Sequence, residues 1–160
     1  MNRKELKKLH NLECKNNQWS WAFINHEEKF IVVQVFQEQN KNKVYSPEWG
    51  NKTQPSHSEY KEYLDLVRNN NYEVKAVQAT GYLDTATNNF KLTGYHGSTL
   101  FNARLEIEMN GDIFFYPQKD GVSSIIDKRI LQNLGRKKVT QPHFRSLNII
   151  EIRYSKDTKT

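Results

Sequence analysis

Residues 29–37, KFIVVQVFQ, are apolar on both sides of an extended chain, the pattern of a strand buried on both faces and therefore central in a sheet. Just before it, WSWAFI (19–24) sets Trp19, Trp21 and Phe23 against Ser20, Ala22 and Ile24, and Asn25-His26-Glu27-Glu28 reads as the turn between two strands. A second strand pair follows later in the chain. TLFNARLEIEM (99–109) alternates Phe101, Ala103, Leu105, Ile107 and Met109 with Asn102, Arg104, Glu106 and Glu108, and runs into Asn110-Gly111 and DIFFYP (112–117). A two-residue turn at Asn110-Gly111 predicts the pairs Met109 with Asp112, Ile107 with Phe114 and Leu105 with Tyr116, so that Phe114 and Tyr116 join the core face.

Between these pairs the pattern changes. Residues 3–12 have the spacing of a short amphipathic helix, with Leu6 and Leu9 about one turn apart. Residues 38–57 are polar and turn-rich and read as a long loop, which in a small domain is either functional or mobile. Ser56 and Glu59 fit a capping box opening a helix that carries Tyr60, Leu64 and Val67 and ends at Asn69-Asn70-Asn71. YEVKAVQATGYL (72–83) reads as a strand bent at Gly81, and TGYHG (93–97) as a loop. Residues 125–134 read as a helix stopped by Gly135, and LNIIEIRY (147–154) as a final strand. The fold class predicted is α+β: a bent, mostly antiparallel sheet or partial β-barrel with two or three flanking helices.

With 160 residues, 36% hydrophobic and 12% aromatic, the chain can build one core. We read a single domain over 1–154 and a flexible tail over 155–160. The single cysteine, Cys14, excludes an intrachain disulfide and a cysteine-based zinc finger. No run approaches the ~18–20 apolar residues of a membrane span, and MNRKELKKLHNLECKNN lacks the apolar stretch of a secretory signal, so a cytoplasmic protein is expected. The net charge of +6 is unevenly spread: +3 over residues 1–15, −3 over 16–121 and +6 over 122–160. Basic ends favour a polyanionic partner, nucleic acid first among them.

The five histidines form no zinc-hydrolase spacing, and phosphate-loop, dinucleotide and nucleophile-elbow motifs are absent. Asp65 followed by Glu73-Val-Lys75 resembles the acid…(D/E)-x-K arrangement of metal-dependent nucleases, in which two carboxylates hold Mg²⁺ and the lysine orients water. The same residues on a solvated strand face need no such role. The aromatics offer a second chemistry. Tyr45 and Trp49 fall in a polar loop. With Trp21, Tyr95 and His96 they could wall a pocket for a flipped or single-stranded base, as planar rings plus a few polar groups do. Lys128, Arg129, Arg136, Lys137, Lys138 and Arg145 are the candidate phosphate contacts.

Gln18-Trp19-Ser20-Trp21-Ala22-Phe23-Ile24-Asn25, the apolar strand Phe30–Phe36 and Tyr45-Ser46…Trp49, followed by the tyrosine-bearing helix, resemble the N-terminal region of HNH-linked, modification-dependent restriction endonucleases. The resemblance covers roughly residues 17–116, and Asn71-Tyr72 stands where Gly-Tyr is usual. It implies a DNA-reading module of a restriction or defence system, binding double-stranded DNA and coupled to a separate HNH nuclease; no HNH motif follows here. The leading expectation is a DNA-binding module that reads a modified or flipped base without a cofactor. The alternatives are a small Mg²⁺-dependent nuclease and a protein-interaction domain of a phage or defence system.

Overall fold

The computed structural model describes residues 1–36, 42–87, 89–118 and 123–130. Its elements run α1 (Arg3–His10), β1 (Ala22–Asn25), β2 (Phe30–Phe36), β3 (Lys43–Tyr45), α2 (Pro55–Asn70), β4 (Glu73–Asp84), β5 (Asn89–Ile107), β6 (Ile113–Pro117) and β7 (Ser124–Asp127). The strands form one curled mixed sheet, a half-barrel, in the order β1-β2-β4-β5-β6-β3, with β7 beside β5, and the class is α+β as the sequence predicts.

β2 is central, as its doubly apolar pattern requires. It pairs antiparallel with β1 and parallel with β4, from Phe30 opposite Glu73 to Phe36 opposite Ala79. One face carries Ile31, Val33, Val74 and Ala76 against Tyr60, Tyr63 and Leu64 of α2. The other carries Phe30, Val32, Val77 and Tyr95 under Leu6 of α1 and Leu12. Burying side chains such as Leu6, Ile31 and Leu105 contributes about 2 kcal/mol each. In α1, Asn2 and Glu5 satisfy each other's backbone N–H groups in a capping box, and Asn11 closes the helix in the left-handed region. Leu9, expected beside Leu6, is exposed. α1 can lie close to β5 because Gly97 has no side chain: a Cβ there would overlap Leu6 Cδ1. Among the described residues no helix is long and apolar enough to cross a membrane.

Several expectations need correction. The β5–β6 hairpin is slipped by one residue from the predicted register: Ile107 faces Ile113 and Leu105 faces Phe115. Gly111 donates to the Glu108 carbonyl at 2.9 Å, Glu108 to the Asp112 carbonyl at 2.8 Å, and Gly111 alone in the turn has positive φ. This is a three-residue loop with a glycine bulge. Because side chains alternate, the slip moves Ile113 and Phe115 into the core and puts Phe114 and Tyr116 on the outer face.

The helix predicted from residue 125 is instead β7 over Ser124–Asp127, parallel to β5, and helical geometry begins only at residue 128. The β-branched Ile125 and Ile126 suit that pairing. TGYHG is not a loop but the middle of β5, a strand that extends over 19 residues. The long loop contains β3, paired with β6. WSW is a turn and bend, and the strand begins at Ala22. α2 starts at Pro55 behind an N-cap Gln54 that makes no side-chain capping bond. The expected capping box is absent because Ser56 and Glu59 are buried and bond elsewhere. The predicted strand 147–154 and the tail 155–160 lie outside the described residues.

Candidate functional site

The first turn of α2, β3 with the turn after it, and the residue leading into β1, the strand at the other edge of the sheet order, come together. Each contributes a ring. Trp21 lies 6.0 Å from Tyr45, 5.6 Å from Trp49 and 4.9 Å from His57, all measured between ring centroids. Trp21 meets Trp49 and His57 edge to face, a favourable arrangement for aromatic quadrupoles. Tyr45 stacks on Tyr60 at 4.5 Å, which anchors the cluster to the core. Trp21, Tyr45, Trp49 and His57 are all half-buried, so each keeps part of its surface in solvent.

His57 ties the cluster together. Its Nε2 donates to the Trp49 carbonyl at 2.9 Å, since a carbonyl can only accept. That leaves Nδ1 as the acceptor in neutral imidazole, and the Tyr45 hydroxyl donates to it at 2.7 Å. The phenol donates in its ordinary protonated form, and burial raises it further above its ordinary value. Two hydrogen bonds therefore fix one imidazole between a strand and a turn. The ring surfaces beside it offer apolar, planar contact of the kind a nucleobase uses in stacking.

The structure brings together three of the five residues expected to wall a base pocket: Trp21, Tyr45 and Trp49. Tyr95 lies on the opposite face of the sheet, in the core beneath α1, where its hydroxyl donates to Gln34 Oε1 at 2.9 Å and accepts from Arg3 Nε at 3.2 Å. Burial pushes that phenol up, partly offset by Arg3. His96, one residue on, is exposed. Sequence reasoning missed His57, whose spacing of three from the core-facing Tyr60 places the two on one helix face and was the available signal.

The residues of the nuclease alternative are not gathered. Asp65 belongs to α2, whose Tyr63 and Leu64 pack on one face of the sheet, and it pairs with Arg68 at 3.5 Å. Lys75 sits on the other face, over the Phe30 ring, donating to Asn102 at 3.0 Å and lying 3.8 Å from Glu73. No group of three metal-ligating side chains occurs among the described residues.

Of the candidate phosphate contacts, Lys128 pairs with Glu108 at 2.8 Å and Glu106 at 3.5 Å, and Arg129 with Asp127 at 2.8 Å. Arg136, Lys137, Lys138 and Arg145 lie outside the described residues. A shallow depression of about 550 Å³ opens on the outer face of β6, lined by Glu108, Met109, Asn110, Asp112, Phe114 and Tyr116. Its two carboxylates make it a poor surface for phosphate.

Comparison of the chain with protein-family models, with curated proteins and with solved structures finds no match.

Proposed function

We propose that this chain is a DNA-binding module in which Trp21, Tyr45, Trp49 and His57 take a modified or extruded base while its basic segments hold phosphates. The observation that carries this reading is the convergence of rings from three separate elements on one doubly hydrogen-bonded imidazole. Rigid aromatic walls bind a planar ligand at low entropic cost. The net charge of +6 supplies the attraction to phosphate that is independent of sequence. The resemblance to the N-terminal region of modification-dependent restriction endonucleases points the same way. In that setting the module works in the cytoplasm, and a separate nuclease chain does the cutting.

The test is a gel-shift titration at physiological salt with EDTA, using matched duplexes that carry cytosine, 5-methylcytosine or 5-hydroxymethylcytosine. Tighter binding to a modified duplex is expected. Equal binding to all of them overturns the base-reading role and leaves a general DNA binder.

A further inference from the structure

The loop between α1 and β1 is held more firmly than its polar, exposed sequence suggests. Asn16 Oδ1 accepts from the backbone N–H groups of Gln18 at 2.8 Å and Trp19 at 2.9 Å. Ser20 Oγ accepts from the Asn16 N–H at 3.0 Å, and Asn16 returns its carbonyl to the Ser20 N–H at the same distance. Anchors to its backbone reach in from elsewhere. Ser56 Oγ donates to the Trp19 carbonyl at 2.7 Å, Arg3 donates to the Ser20 carbonyl at 3.1 Å, and Glu59 accepts from the Lys15 N–H at 2.8 Å. Ser20, Ser56 and Glu59 are all buried.

At the tip of this pinned loop the Trp19 side chain is 53% exposed. A lone exposed apolar side chain is ordinary. An indole whose backbone is fixed on both sides is different, because the backbone part of the cost of ordering it against a partner has already been met in folding. Its surroundings indicate the partner. Ser56, which holds Trp19, immediately precedes His57 of the aromatic cluster. Lys7 Nζ bonds Asn17 Oδ1, which sets the basic helix α1, with Lys4 and Lys8 exposed, beside the loop. An exposed aromatic side chain, amide side chains and cations next to a half-buried aromatic cluster form the set needed to enter a duplex and hold it open.

We propose that Trp19 is the wedge of this module: it enters a DNA duplex and stacks in the gap left by the base that the aromatic cluster takes. This rests on the base-binding reading above. It adds a requirement specific to duplex DNA, since a single strand leaves no gap to fill.

The test compares wild type, Trp19→Ala and Trp19→Phe on one 5-hydroxymethylcytosine oligonucleotide, presented as a duplex and as a single strand. Trp19→Ala is expected to weaken duplex binding about tenfold or more, to leave single-strand binding within about twofold, and to be largely rescued by phenylalanine. Thermal melting of the three proteins checks that each is folded. Unchanged duplex binding by Trp19→Ala, or equal loss on both forms, overturns the wedge. The same duplex carrying plain cytosine is run beside the modified one: wild type that binds both duplexes equally overturns the reading of a modification but not the extrusion of a base, and the wedge is then judged on duplex against single strand. Wild type that binds no DNA overturns both.

Discussion

Arg68 of α2 reaches Asp127 of β7 at 3.3 Å and so ties the long helix to the strand that pairs with β5 on the edge opposite β6. Asp127 is only 6% exposed and also receives both the backbone N–H and the guanidinium of Arg129. Burial by itself would raise its carboxyl. The hydrogen bond and charge of Arg129, with the charge of Arg68, outweigh burial and hold it below the ordinary 3.8. A carboxyl lowered on folding adds stability above its ordinary value and loses that contribution as pH falls through the folded value. Asp127→Asn should therefore cost about 2 kcal/mol at neutral pH and less in acid. Urea unfolding of both proteins across that range is the check, and parallel stability curves would show that the carboxyl's charge contributes nothing.

Trp49→Ala removes the ring that Trp21 and Tyr45 both contact, at 5.6 and 6.2 Å. It should abolish discrimination between modified and plain duplexes while leaving weak, salt-sensitive binding. Proportionate loss on both DNAs would assign Trp49 to general affinity and count against the pocket.

Tyr95→Phe provides the opposite control. It leaves Gln34 Oε1 without its hydroxyl donor in a site where Gln34 is 1% exposed. The variant should be destabilised by about 1–2 kcal/mol in denaturant. Its preference among DNAs should match wild type, because Tyr95 lies across the sheet from the aromatic cluster. A changed preference in a folded Tyr95→Phe protein would restore Tyr95 to the site.

Gly111→Ala puts a side chain at φ +93° and brings its Cβ to 2.9 Å from Pro47 Cγ. A loss of about 1 kcal/mol or more is expected in thermal or urea unfolding. A neutral substitution would mean that the turn relaxes without cost.

Gly111 also marks where the sequence stopped being legible. Alternation in 99–109 and the Asn110-Gly111 pair announced a hairpin, and a hairpin is there. Whether such a pair makes a two-residue turn or a three-residue turn with a bulge depends on how the strands twist against Pro47 and β3, which is information from distant residues. The same limit applies to 125–134. Helical spacing of Ile126, Ile130 and Leu134 was present, but parallel pairing with β5 won at Ile125 and Ile126. The central strand was readable because both of its faces are written in its own residues. The site was readable in part for a related reason. Tyr45 and Trp49 stood out as large rings in polar sequence, whereas Tyr95 drew notice from flanking glycines whose actual use is to let α1 lie against β5.

β3 finds its only described strand partner in β6, with Tyr45 opposite Ile113. During synthesis, therefore, Tyr45 leaves the ribosome long before the strand that positions it. Trp21, Trp49 and His57 emerge early as well, yet β3 lacks its strand partner until the chain has been made through Pro117. Non-local pairing of this kind slows folding. The chain thus completes the sheet around Tyr45 as a late event, and a nascent chain halted before β6 carries the rings of the site without the strand that pairs with β3.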